Sequence, residues 1–107
     1  MTLYEMLKYW LLNMLEAYRD TPKTAPKRIF IDKIIEISRQ SAGNSQKDKQ
    51  YHNLVVLQYL IDTPISVNQI CKTLHIGQVK GNYERITRNA IDRLLILTFG
   101  ADGINWN

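Results

Sequence analysis

At 107 residues, 45% of them apolar, the chain has material for one compact core rather than two and is too apolar to remain disordered. Its formal net charge is +4 and its pI is near 9.3. The lone cysteine, Cys71, excludes an internal disulfide, and His52 and His75 lie too far apart in sequence to give a recognisable metal-ligand spacing. No apolar run approaches the roughly 18 residues of a membrane span and no signal peptide is visible, so a soluble cytoplasmic protein without cofactor or membrane partner is expected.

Thr2 and Glu5 form a capping-box pattern ahead of Leu3, Leu7, Trp10, Met14 and Tyr18, which recur at helical spacing. Tyr4, Leu11, Leu12 and Leu15 widen this stripe beyond one packing face. Such a helix is either sandwiched in the core or pairs with a partner helix, for example in a homodimer. Asp20-Thr-Pro22 ends it, and Pro26 suits the first turn of a second helix. There Ile29, Phe30, Ile34 and Ile37 supply the inward stripe, flanked by Ile31 and Ile35. The β-branched run permits a strand, but the recurrence and the length before Gly43 favour helix.

Residues 41–45 read as a loop. Ser45 can cap a third helix, with Asp48 in its first turn and Tyr51, Leu54, Val55, Leu57 and Ile61 as core positions. Asp62-Thr-Pro64 stops it. Ser66 then caps a short fourth helix with Val67, Ile70 and Leu74 inward, and Leu74–Gly77 forms a corner in which His75 takes positive φ and Gly77 caps the next helix. Val79, Tyr83, Ile86, Ala90, Leu94 and Leu97 are the inward stripe of that fifth helix, which runs to about Thr98. Within it, Gly81 would lower helix stability by roughly 1 kcal/mol relative to Ala. Close approach to DNA, or a bend in the helix, would each account for it. In the tail, Ile104 and Trp106 are expected to fold back onto apolar surface.

This is a helix-turn-helix pattern over residues 66–93, whose second helix, 77–93, is the element expected in a DNA major groove. The run LQYLIDTPISVNQICKTLHIG (57–77) resembles the start of sigma factor region 4, and AIDRLLILTFGADGINW (90–106) resembles the end of small phage regulators of Gram-positive hosts grouped with the ArpU and RinA late-transcription regulators. The resemblance covers residues 50–106. It departs from the family at His75, where Gly is usual, at Gly77, where Ser or Thr is usual, and in a longer spacing to Ala90. It implies action near a promoter or in contact with RNA polymerase.

The expected fold is all-α, with five helices in a single domain and a C-terminal helix-turn-helix. Residues 1–44 form an N-terminal helical pair that buttresses or dimerises the molecule, and residues 45–107 form the region-4-like half. Charge agrees with a phosphate-facing surface. Residues 21–50 carry seven bases against three acids, and residues 63–93 carry Lys72, Lys80, Arg85, Arg88 and Arg93 against Glu84 and Asp92.

Stepping 100° per residue from Ile86 turns Gly81, Arg85, Arg88 and Asp92 outward. Gln78, Asn82, Arg85 and Arg88 are the candidate base readers, since Arg suits guanine and Gln or Asn suits adenine. Ser66, Asn68, Lys72 and Lys80 are the candidate phosphate contacts. The plainer alternative is a solvated face carrying a Glu84–Arg88 ion pair. No nucleophile with a base, phosphate loop or carboxylate pair suggests an enzyme. The function expected is sequence-specific binding of double-stranded DNA in transcription regulation. The competing readings are a protein-interaction module docking on RNA polymerase or another host protein, and a small DNA-packaging subunit.

Overall fold

Three of the five α-helices start at a side-chain cap. In the computed structural model, which describes residues 1–100, the Thr2 hydroxyl accepts the Glu5 amide at 3.1 Å and opens α1 (Leu3–Glu16). A 3-10 turn, Tyr18–Asp20, follows. Pro26 occupies the first turn of α2 (Pro26–Ala42), as its fixed φ favours. Ser45 accepts the Asp48 amide at 3.2 Å and opens α3 (Gln46–Val55). At α4 (Val67–Leu74) Ser66 and Gln69 form a reciprocal capping box. The last helix, α5 (Asn82–Phe99), begins after Gly81. The described residues are all helix and connection, with five α-helices in one globule. The expected fold-back of Ile104 and Trp106 lies outside the described residues.

The core draws on every helix. Leu11 and Leu15 of α1, Ile31 and Ile34 of α2, Leu54 and Val55 of α3, Cys71 of α4, and Ile91, Leu94 and Leu95 of α5 form one buried cluster. Each such side chain withdraws enough apolar surface to contribute about 1.5–3 kcal/mol for Leu or Ile. α5 is central: it packs on α1, α2 and α3.

Expectations in four of the five helices are corrected. The inward face of α2 is Ile31, Ile34, Ser38 and Ala42, while Ile29 and Ile37 are exposed. A hydroxyl stands where periodicity assigned an isoleucine, because Arg93 and His52 satisfy it. Second, α3 does not keep one pitch. It widens into a π-helical turn over Val56–Leu60, which brings Tyr59 and Leu60 against the core instead of Leu57 and Ile61. Arg19 closes that turn, donating Nε to the Ile61 carbonyl at 2.7 Å and Nη2 to the Gln58 carbonyl at 3.0 Å.

Third, the fifth helix starts at Asn82, not Gly77. His75 does take left-handed geometry (φ 57°, ψ 41°), but the chain then runs irregularly to Gly81 (φ 80°, ψ −8°). The Asn82 amide donates to the Val79 carbonyl at 2.9 Å, so Gly81 fills the turn position that favours glycine. Gly81 is therefore not a flaw inside a helix, and Val79 is exposed rather than inward. Finally, Ile91 and Leu95 are fully buried beside Ile86, Ala90 and Leu94, whereas Leu97 is only half-buried. Val67 at the start of α4 is likewise exposed.

Candidate nucleic-acid interface

The connection before α5 and the first turns of that helix collect the cations. Val79, Lys80, Gly81, Asn82, Arg85 and Arg88 line one shallow depression. Lys80, Arg85 and Arg88 are exposed there, and Asn82 is half-buried. Asn82 fixes the corner: its Nδ2 donates to the Gly77 carbonyl at 2.7 Å, and its Oδ1 accepts from Arg85 Nη2 at 2.7 Å. Gln78 is exposed on the same connection but outside the depression, and none of its lining comes from α4.

Charge balance separates these residues from the other bases. Among the described residues the ion pairs are Lys8–Asp92, Glu36–Arg39 and Asp48–Arg93. Lys80, Arg85 and Arg88 take part in none of them, and the alternative Glu84–Arg88 pair does not form. The helix N-terminus adds partial positive charge at the same end, since no side chain caps it. Glu84 is exposed in the same first turn, so Lys80, Arg85 and Arg88 keep an excess of two positive charges, which attracts anions.

The rest of the expected outward face is closed. Asp92 accepts a hydrogen bond from the Tyr4 hydroxyl and pairs with Lys8 at 3.9 Å. Lys8 also donates to Tyr4 at 3.2 Å. Burial and the Asp92 carboxylate push the Tyr4 phenol up to about 12, against the opposing field of Arg88. α1 thus covers α5 at Asp92 and leaves Arg85 and Arg88 in the open. Arg93, counted in the basic motif, points inward to Ser38 and Asp48.

Ser66, Asn68 and Lys72 are exposed on α4. The Ser66 hydroxyl is occupied in its own cap. Tyr83, expected at the core edge, is half-buried and donates to Gln58 Oε1 at 2.5 Å.

Sequence pattern did not disclose one further cluster. Ser38 Oγ and His52 Nδ1 lie 2.9 Å apart, the reach of a nucleophile and its base. Ser38 is 0% exposed, however, and its oxygen already accepts from Arg93, so the contact is structural. Desolvation and the charges of Arg93 and Arg39 hold the His52 imidazole below its ordinary value. No group of three potential metal ligands occurs among the described residues, and no helix is long and apolar enough to cross a membrane. Compared with family models, curated proteins and solved structures, the chain matches none.

Proposed function

We propose that the chain is a sequence-specific DNA-binding regulator of transcription, of the phage-encoded kind its sequence resembles. In this reading α4 and α5 act as a helix-turn-helix with an extended turn. The single observation that carries it is the trio Lys80, Arg85 and Arg88, exposed at the uncapped start of α5 without a carboxylate partner. Arg85 and Arg88, three residues apart on one helix face, read base edges in the major groove together with Asn82 and Gln78. Lys80 and Lys72 neutralise flanking phosphates, and Ser66 and Asn68 meet the backbone at the start of α4. RNA polymerase is the protein neighbour that the resemblance suggests.

The test is a binding titration with duplexes selected from a random DNA pool. Wild type should bind with affinity that falls steeply as salt rises. The double substitution Arg85→Ala, Arg88→Ala should lose at least about 30-fold in affinity, because two base contacts worth about 1–3 kcal/mol each sum to about 2 kcal/mol or more, with helicity unchanged. An unaltered affinity would remove both residues from the interface.

A second reading, docking on a protein, is favoured by the exposed apolar side of α1. Affinity of that origin would respond little to salt.

A further inference from the structure

The start of α2 carries the wrong charge for a helix. Carboxylates favour a first turn, where unpaired amides leave partial positive charge. This helix has no acidic residue in its first turn and no side-chain cap, and it places Lys27 and Arg28 there instead. Neither joins any of the ion pairs among the described residues. Asp32, one turn beyond Arg28, receives the Tyr18 hydroxyl at 2.5 Å.

The two cations line a cavity of about 200 Å³ between the end of α1 and the start of α2. Trp10, Met14, Ala17 and Tyr18 supply its apolar wall, Asn13 and Thr21 add an amide and a hydroxyl, and no carboxylate lines it. Trp10 is held in place by Phe30 and Phe99, at ring-centroid distances of 5.4 Å and 5.9 Å.

Arg28 is fixed but incompletely bonded. Its guanidinium carbon lies 4.2 Å from the Tyr18 ring centroid. Nη1 donates to the Thr21 carbonyl at 2.9 Å and to the Tyr18 carbonyl at 3.4 Å. Nε, one arm of the fork that grips a carboxylate with two parallel bonds, is buried and has no partner. A buried charged donor without an acceptor is costly, and few native groups remain so.

We propose that this cavity binds a small monocarboxylate whose apolar body is about one ring in size, as in benzoate. The carboxylate accepts from Arg28 and is drawn in by Lys27 and the positive end of α2. The ring lies against Trp10 and Met14. An apolar cavity of about 150 Å³ already takes up benzene, so one of about 200 Å³ holds a ring with its carboxylate. A bare phosphate would satisfy the charge and leave the apolar wall uncovered. The ligand touches neither Arg85 nor Arg88, so the site stands whether or not α5 meets DNA.

The test is an NMR titration of the nitrogen-labelled full chain, following the Trp10 indole N–H and the Arg28 Nε–H signals. Benzoate is the probe, benzamide its uncharged counterpart and acetate the anion without the ring. Wild type should bind benzoate with a dissociation constant of about 1 mM or tighter, and the two controls at least about tenfold more weakly. Arg28→Lys keeps the charge, loses the fork and should weaken benzoate about tenfold or more. Ala17→Leu, at an exposed position on the cavity wall, should fill the space and cost about as much while helicity is unchanged. A wild type without saturable shifts up to about 10 mM benzoate overturns the proposal. Benzamide or acetate binding as tightly as benzoate also overturns it, by removing the need for the charge or for the apolar wall. Undiminished affinity in Ala17→Leu does the same, by placing the ligand elsewhere.

Discussion

Arg93 closes on Ser38 twice, donating Nη1 to the hydroxyl at 2.7 Å and Nη2 to the carbonyl at 3.0 Å. Its Nε lies 3.6 Å from Asp48, and His52 completes the cluster through the same hydroxyl. The contact ties α5 to α2 and α3 at a fully buried point. Because Arg93 donates into Ser38 Oγ, the serine proton is free to donate to His52 Nδ1, which accepts only when neutral.

This cluster predicts how stability depends on pH. Protonating His52 turns Nδ1 into a donor, leaves the Ser38 proton without its acceptor and adds a cation facing Arg93 and Arg39, with Glu36 the opposing charge. The folded value lies below the ordinary 6.5, so between the two the unfolded chain binds more protons. Stability therefore falls as pH drops through 6.5, and the loss levels off below the folded value. Urea midpoints of wild type and His52→Gln at about pH 7.5 and about pH 5.5 isolate this contribution. The expected result is a larger acid-side loss in wild type. Equal losses would show that the imidazole titrates alike in both states.

A second expectation concerns two glycines that look alike in sequence. Gly81 has φ +80° and nothing within 4 Å of an added Cβ, so Gly81→Ala meets only backbone strain, about 1–2 kcal/mol. Gly77 has no positive φ, and its added Cβ would stand 3.9 Å from Asn82 Nδ2, an ordinary contact. Gly77→Ala should therefore be neutral, or stabilising by up to about 1 kcal/mol through the unfolded chain. Thermal unfolding of the two variants decides it. The reverse order would return the helix start to residue 77.

Those residues mark where local pattern stops being informative. Capping residues Thr2, Ser45 and Ser66 and the left-handed His75 were legible, because each acts within four residues of itself. Ser38 was not, since its partner Arg93 is 55 positions away and no periodicity records that a distant guanidinium will satisfy a hydroxyl. The π turn at Val56–Leu60 defeated a stripe drawn at 3.6 residues per turn. The start of α5 was misread because Val79 and Tyr83 continue the inward spacing, whereas the φ of Gly81 holds a turn there instead. At the candidate site, the exposure of Arg85 and Arg88 followed from their angle to Ile86. Asp92 shared that angle yet is covered, because Tyr4 and Lys8 of α1 reach it from the other end of the chain.

The final prediction separates base reading from charge at Arg85. Its Nη2 is held by Asn82 Oδ1 at 2.7 Å, and the side chain is exposed in the first turn of α5. Arg85→Lys preserves the charge and removes the fork. For a base reader, the slope of affinity against salt should stay at the wild-type value while preference among duplex sequences falls about tenfold, the low end of the 1–3 kcal/mol that one bidentate pair contributes. Arg85→Ala should lose the same preference and also flatten the salt slope by about 1. Anisotropy titrations of one selected and one scrambled duplex at several salt concentrations give both quantities together. If lysine keeps the full preference, Arg85 holds a phosphate, and sequence must be read by Arg88, Gln78 or Asn82.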